Sequence, residues 1–327
     1  MGRNTDELVV NQSGEAITMP KTAFVFPGQG SQYVGMGKDL YEGDDQAKVL
    51  FSKANEILGF SFSKICFEGP EEELKQTKNT QPAIFLHSVV VFNLMKNRKF
   101  EMAAGHSLGE YSALVAAGAL TFEDGLKLVR LRGELMQQAG VEQPGTMAAI
   151  VGLDPKTVNG ICTEASPAGI VQAANFNSPG QIVVSGSVTG VRKAMELAKT
   201  RGAKIVKELP VSGAFHSPLM KSAQTGLKAA LDRTEIRDTA VPVYANVTAR
   251  PERHADEIRS LLYRQLTSPV RWEESVASMV ADGATTFTEI GPGKVLQGLV
   301  KRIKGNVETC GFEKLSDIAV ADGISNE

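Results

Sequence analysis

Short apolar runs alternate with longer amphipathic stretches along this chain. Residues 22–26 form an apolar run stopped by Pro27-Gly28-Gln29-Gly30, the pattern of a buried strand ending in a turn. A helical stretch follows, with Val49, Leu50 and Ile57 spaced among charges. Pro70-Glu71-Glu72-Glu73 predicts a helix start, with proline in the first turn and acids at the positive end of the dipole. Thr80 is expected to cap a largely buried helix over 82–96. Residues 102–104 predict a short strand running into Gly105-His106-Ser107-Leu108-Gly109, and 108–117 predict a helix of small residues. Thr121-Phe122-Glu123-Asp124 reads as a capping box with Asp in place of Glu, opening a helix to about residue 138.

From residue 145 the spacing changes. Runs at 147–151, 170–175, 182–185 and 205–211 predict strands, and 155–164 and 188–200 predict helices. Asn177-Ser178-Pro179-Gly180 lies between the second and third strands as a hairpin signal. The resulting βαββαβ order is the ferredoxin-like pattern. Further strands are expected at 241–244 and 286–290. The expected fold class is α/β: a hydrolase-like core with a short parallel sheet flanked by helices, carrying an inserted ferredoxin-like subdomain. The core is assigned to 21–144 and 211–310, and the subdomain to 145–210. Residues 1–20 are expected to form a mobile N-terminal tail and 311–327 a C-terminal tail.

Composition narrows the partners more than the fold. Of 327 residues, 42% are hydrophobic and 22% charged, ordinary for a chain that can hold its core without metal or disulfide. A net charge of −2 gives no reason to expect nucleic-acid or general membrane binding. Cys66, Cys162 and Cys310 are far apart and lack C-x-x-C spacing, which argues against a disulfide framework or zinc site and fits a reducing compartment. No apolar run reaches transmembrane length. The N-terminus lacks a signal-peptide core, Asp6, Glu7 and Glu15 oppose a transit peptide, and Asp6 stands where myristoylation needs Ser or Thr. A cytoplasmic protein is expected.

The candidate chemistry begins at Ser107. Its G-x-S-x-G setting between strand and helix puts the hydroxyl on a tight turn that only small neighbours permit. The helix that follows points backbone N–H groups and a positive dipole end at the same centre. A serine nucleophile needs a base. Of the four histidines, His87 lies in an apolar helix and reads as a core residue, His106 adjoins the serine on a turn where neighbouring side chains diverge, and His254 sits among Pro251, Glu252, Arg253 and Asp256. His216 follows a strand in a loop before a helix, at a sheet end where α/β sites form. Elimination selects His216, although a lone loop histidine is also compatible with a structural role. Arg132 is unusual in another way: Leu128, Val129, Leu135 and Met136 share its helix face. A guanidinium inside an apolar stripe must meet an anion, internal or brought by a substrate, or snorkel to water.

Eight segments carry a resemblance covering about residues 21–305. They are FVFPGQGSQ (24–32), NTQPA (79–83), GHSLGEYSAL (105–114), LRGELMQ (131–137), NFNSPGQIVVSG (175–186), GAFHSPLM (213–220), PVRW (269–272) and EIGPGKVL (289–296). The chain resembles the malonyl-CoA:acyl carrier protein transacylases of fatty-acid synthesis and the related acyltransferase domains of polyketide synthases. The resemblance implies Ser107 as nucleophile and His216 as base, with the backbone N–H groups of Gln29 and Leu108 forming the oxyanion hole. It implies Arg132 as the group binding the free malonyl carboxylate, and Gln265 as the residue whose backbone carbonyl orients the base in place of an acid. Asn175 and Asn177 match residues near the substrate entrance, where shaping a hairpin is an alternative role. Phe215 fits the malonyl-type loop, its ring leaving little room for an α-methyl branch.

The implied cycle is ping-pong, with malonyl-CoA as substrate and the phosphopantetheine thiol of an acidic acyl carrier protein as acceptor. No bound cofactor or metal is implied, and a monomer is expected. Arg192, Lys193, Lys199, Arg201, Lys204 and Lys207 form a candidate carrier-docking face or an ordinary solvated surface. Two other motifs are excluded. Tyr33 occupies the last glycine position of a dinucleotide fingerprint, and Gly291–Lys294 lacks both the first glycine and the Ser/Thr of a P-loop. A polyketide pathway, a serine esterase or thioesterase, and an inactive carrier-binding module remain as alternatives. Arg132 and the missing third-member acid argue against the hydrolase.

Overall fold

The computed structural model describes residues 9–10, 16–17, 20–95 and 98–321. The tails expected at 1–20 and 311–327 fall partly outside the described residues. Within the first, Val9–Val10 pairs antiparallel with Ala16–Ile17.

Strand Lys21–Phe26 lies inside a six-stranded sheet. Its side chains alternate between two cores, as the period of two requires. Phe24 and Phe26 enter one cluster, and Ala23 and Val25 enter another on the opposite face. A strand buried on both faces reads as a continuous apolar run. Parallel neighbours are Met102–Gly105 on one side and Ala284–Ile290 on the other. Beyond them lie Val243–Tyr244 and Glu308–Phe312, also parallel, and Pro251–Glu252 closes one edge antiparallel. The edge strand Glu308–Phe312 and the helix Leu315–Ala321 run past residue 310, where a tail is expected from sequence.

Helices cover both faces. Thr77–Leu94, Gly109–Ala116 and Phe122–Glu142 pack around the first core, and Trp272–Ala281 and Val295–Ile303 around the second. Thr121 caps Phe122–Glu142, its Oγ1 accepting the Asp124 N–H at 3.1 Å. Thr80 is not a cap. The helix begins at Thr77, and Thr80 Oγ1 donates to the Leu74 carbonyl at 2.6 Å. Pro82 sits inside this helix and has no N–H for the Lys78 carbonyl four residues back. Arg130 Nη1 takes up that carbonyl instead, at 3.0 Å, so the proline is tolerated.

Residues Gly145–Glu208 build a second, four-stranded antiparallel sheet from the strands Gly145–Val151, Val171–Ser178, Gln181–Ser187 and Ile205–Glu208. The first and third strands are central, the ferredoxin-like arrangement. Ala148, Ile150 and Val184 face the helices Pro155–Ala165 and Val188–Thr200. Met147 and Val183, one residue out of phase, face the main core. A backbone link ties the small sheet to the segment just before the helix Trp272–Ala281: the Phe176 N–H donates to the Val270 carbonyl at 2.9 Å, and the Val270 N–H to that of Ala174 at 2.8 Å.

Candidate active site

Strand Met102–Gly105 and helix Gly109–Ala116 are separated by a turn in which Ser107 has φ 53°. That left-handed conformation costs a side chain on the order of 1–3 kcal/mol and persists only where the surroundings over-determine it. Here they do. A Cβ at Gly109 would lie 2.1 Å from the Phe26 carbonyl oxygen, and one at Gly28 would lie 2.3 Å from that of His106. Only glycine lets these loops press so closely together. Asn246 clamps the turn further: its Oδ1 accepts the Ser107 N–H and its Nδ2 donates to the Gly105 carbonyl, both at 2.6 Å.

His216 arrives from a loop 109 residues later, and its Nε2 lies 2.8 Å from Ser107 Oγ. Its own φ is 58°, again left-handed. His216 Nδ1 faces the backbone carbonyl oxygens of Gln265 at 2.9 Å and Ser268 at 3.2 Å. Carbonyls only accept, so Nδ1 carries the ring proton and Nε2 is left to accept the serine hydroxyl. No carboxylate is needed to set this tautomer. Gln172 Nε2 donates to the His216 carbonyl at 2.7 Å, tying the loop to the small sheet. Burial, reinforced by the charge of Arg132, lowers the His216 pKa to about 3, so the ring is neutral at pH 7.

Arg132 reaches the same oxygen from the helix Phe122–Glu142 and is 0% exposed, so it does not snorkel. Its Nη2 donates to Ser107 Oγ at 3.0 Å and to Gln265 Oε1 at 2.9 Å, and its Nη1 to Gln81 Oε1 at 2.7 Å. All three partners are neutral. A buried acid, Glu110, stands one side chain further away. Its Oε2 accepts the Asn246 backbone N–H and Gln265 Nε2, both at 2.9 Å. Burial raises the Glu110 pKa to about 7 against the pull of these donors and of Arg132.

A cavity of about 260 Å³ opens onto Ser107, with Gln29 and Leu108 in its lining. The N–H groups of Ser107, Gly109, Glu110 and Tyr111 all have acceptors, and that of Leu108 has none among the described residues. Asn175, Asn177 and Phe215 line the cavity as well. Asn177 Oδ1 lies 2.9 Å from His106 Nε2, while Asn175 Oδ1 is buried without a partner among the described residues. The other histidines separate as their sequence contexts suggest. His87 is buried with neither ring nitrogen bonded among the described residues, and the His254 side chain is 80% exposed.

The six basic candidates for a docking face are exposed, but the fold does not gather them at the cavity. Helix Val188–Thr200, carrying Arg192, Lys193 and Lys199, rides on the sheet face turned away from it. Lys207 pairs with Ala149 and so shares the opposite face. Arg192, Lys193 and Arg201 pair with Glu208, Glu196 and Glu164. The contributions of Gln81, Glu110, Gln172 and Asn246 are absent from the sequence reading. Gln81 and Glu110 lie within conspicuous motifs, but nothing local assigns their partners. Among the described residues no group of three or more His, Cys, Asp or Glu could hold a metal, and no helix is long and apolar enough to cross a membrane.

Comparison with known proteins identifies the family. Residues 23–314 match the family described as acyl transferase domain. A malonyl CoA-acyl carrier protein transacylase of Bacillus subtilis (strain 168) is 49% identical over 306 residues, covering 93% of this chain and 96% of the relative. The crystal structure of an acyl carrier protein S-malonyltransferase from Vibrio cholerae superposes with a TM-score of 0.89 at 43% identity, covering 92% of this chain and 99% of that one. A malonyl-transacylase solved in complex with a type II polyketide synthase acyl-carrier protein gives a TM-score of 0.89 at 40% identity, covering 92% and 98%. The chain belongs to the acyl transferase domain family.

Proposed function

We propose that this chain transfers a malonyl group from malonyl-CoA to the phosphopantetheine thiol of an acyl carrier protein, through an ester on Ser107. The observation that carries the proposal is Arg132: a buried cation 3.0 Å from Ser107 Oγ whose hydrogen-bond partners are all neutral. A guanidinium desolvated without a counter-ion is costly. A carboxylate on the incoming acyl group supplies the missing charge, and acetyl does not.

His216 Nε2 accepts the Ser107 proton as Oγ attacks the thioester carbonyl. The backbone N–H groups of Gln29 and Leu108 hold the oxyanion, each worth about 3–4 kcal/mol of barrier. The carbon–sulfur bond breaks, and the thiolate of coenzyme A takes the proton from His216. The carrier thiol then enters, gives its proton to His216 and attacks the ester, and Ser107 recovers its proton as the leaving group. The carbonyls of Gln265 and Ser268 keep the imidazole oriented through both halves. Asn175 and Asn177 line the entrance to the substrate cavity, and Phe215 crowds the α-carbon. The chain works in the cytoplasm as a monomer without a bound cofactor, and the core and the small sheet act as two subdomains enclosing one cleft.

The relatives' names support malonyl transfer to an acyl carrier protein, and fatty-acid synthesis is the setting proposed for it. The neighbour solved with a polyketide carrier supports the second reading, the same reaction serving that pathway. Incubation with malonyl-CoA alone tests the chemistry. A stable malonyl ester that a carrier protein then discharges is expected. Steady release of malonate at the transfer rate would instead make the chain a hydrolase.

A further inference from the structure

Glu110 is a carboxylate that the mechanism above leaves without a task. It is 3% exposed, on the first turn of the helix that follows Ser107, and both donors it meets are themselves in the site. Glu110 Oε2 accepts the backbone N–H of Asn246, the residue that clamps the Ser107 turn, and Nε2 of Gln265, both at 2.9 Å. Gln265 is the hub of the site. Its main-chain carbonyl faces His216 Nδ1 at 2.9 Å, its Oε1 accepts Arg132 Nη2 at 2.9 Å, and its Nε2 also donates to the Ser107 carbonyl at 3.0 Å.

The orientation of that amide decides whether Arg132 is held. With Nε2 toward Glu110 and the Ser107 carbonyl, two acceptors meet a donor, and Oε1 is left facing the guanidinium. Turned over, the amide would set N–H groups against a cation and an oxygen against two acceptors, losing all three bonds. Glu110 also stays off the guanidinium. An acid bonded directly to Arg132 would occupy the donors that a malonyl carboxylate needs. Resting on the proposed malonyl chemistry, we infer that Glu110 is a positioning residue: by fixing the Gln265 amide it aims Arg132 at the acyl group while leaving its charge unpaired, and so sustains the preference for a carboxylate-bearing substrate. The acceptor, rather than the full negative charge, does this, because Oε2 takes both bonds and a proton can ride on Oε1.

The test compares Glu110→Met with Glu110→Gln. Both are measured as the ratio of kcat/KM for malonyl-CoA to that for acetyl-CoA, with folding checked by circular dichroism. Glu110→Met removes the acceptor and should lower the ratio about tenfold, the size of one lost hydrogen bond, chiefly by raising KM for malonyl-CoA. Glu110→Gln keeps an oxygen that can accept both bonds and should recover most of the ratio. A merely structural role would depress both substrates alike. Gln265→Met keeps the main-chain carbonyl on His216 and removes only the side-chain link. It should reproduce the loss, and the double variant with Glu110→Met should be no worse than the worse single change. A folded Glu110→Met with an unchanged ratio, or additive losses in the double variant, overturns the inference. If Glu110→Met does not fold, an unchanged ratio in Gln265→Met overturns it alone. Failure of the underlying reading is distinct: the unaltered chain would then take no malonyl group on Ser107 at all.

Discussion

Replacing Arg132 with alanine should invert the acyl preference. In the resting site the guanidinium contacts Ser107 Oγ at 3.0 Å, Gln265 Oε1 at 2.9 Å and Gln81 Oε1 at 2.7 Å, with no charged hydrogen-bond partner among the described residues. Two charge-assisted hydrogen bonds to a malonyl carboxylate, at about 1.5–3 kcal/mol each, amount to about 3–6 kcal/mol. That corresponds to a loss on the order of 10²–10⁴ in kcat/KM for malonyl-CoA. Acetyl-CoA behaves differently. In the unaltered site it leaves a desolvated cation without a hydrogen-bonded anion, and alanine removes that penalty. Acetyl transfer should therefore fall far less than malonyl transfer, or rise. The change strands two buried amide oxygens, each costing about 1–3 kcal/mol, so the variant must first be shown to fold. Rapid quenching with both thioesters at equal concentration, followed by mass analysis of the acylated peptide, reads the ratio directly. A folded variant with an unchanged ratio of malonyl to acetyl ester refutes Arg132 as the carboxylate site.

Four further outcomes follow from the geometry. The acid limb of kcat/KM for malonyl-CoA should lie well below pH 6.5, because burial and Arg132 lower the free-enzyme pKa of His216 to about 3 and keep it unprotonated. The same shift has a stability sign. The neutral folded histidine contributes stability that is present above its unfolded value of 6.5 and lost as pH falls, and thermal melts of the unaltered chain against His216→Gln across that range separate it from Glu110, whose raised pKa acts in the opposite sense. Gly109→Ala should cut Ser107 acylation at least about tenfold, since its Cβ would lie 2.1 Å from the Phe26 carbonyl oxygen, backbone that has nowhere to yield; wild-type acylation rates in that variant would contradict the crowding. Lys193→Glu combined with Lys199→Glu should leave KM for the carrier protein within about twofold, because their helix lies across the small sheet from the cavity. A larger rise that salt suppresses would restore that face as the docking surface.

The α/β class was legible because it rests on local periodicity. The doubly buried run ending at Phe26, the Thr121 cap and the βαββαβ order each announce themselves within a few residues. The start of the helix Thr77–Leu94 was not, because Asn79, Thr80 and Gln81 look like loop residues until the partners of their buried side chains are known. The edge strand Glu308–Phe312 is short and mixed, and its partner Ala284–Ile290 gives it its identity. Within the site the same distinction holds. Ser107 advertises itself through flanking glycines, and Arg132 through the apolar stripe around it. Glu110 and Asn246 do not, since nothing local points to the partner of either, and the bond between them joins positions 136 residues apart.

The most direct measurement is the intact mass and peptide map of the chain after exposure to malonyl-CoA, acetyl-CoA and methylmalonyl-CoA together. A single malonyl ester on Ser107, absent from Ser107→Ala and discharged by an acyl carrier protein, is the expected result. Acylation at another residue, or an ester population that follows the supplied mixture without favouring malonyl, would contradict a site in which Arg132 selects the acyl group and Ser107 carries it.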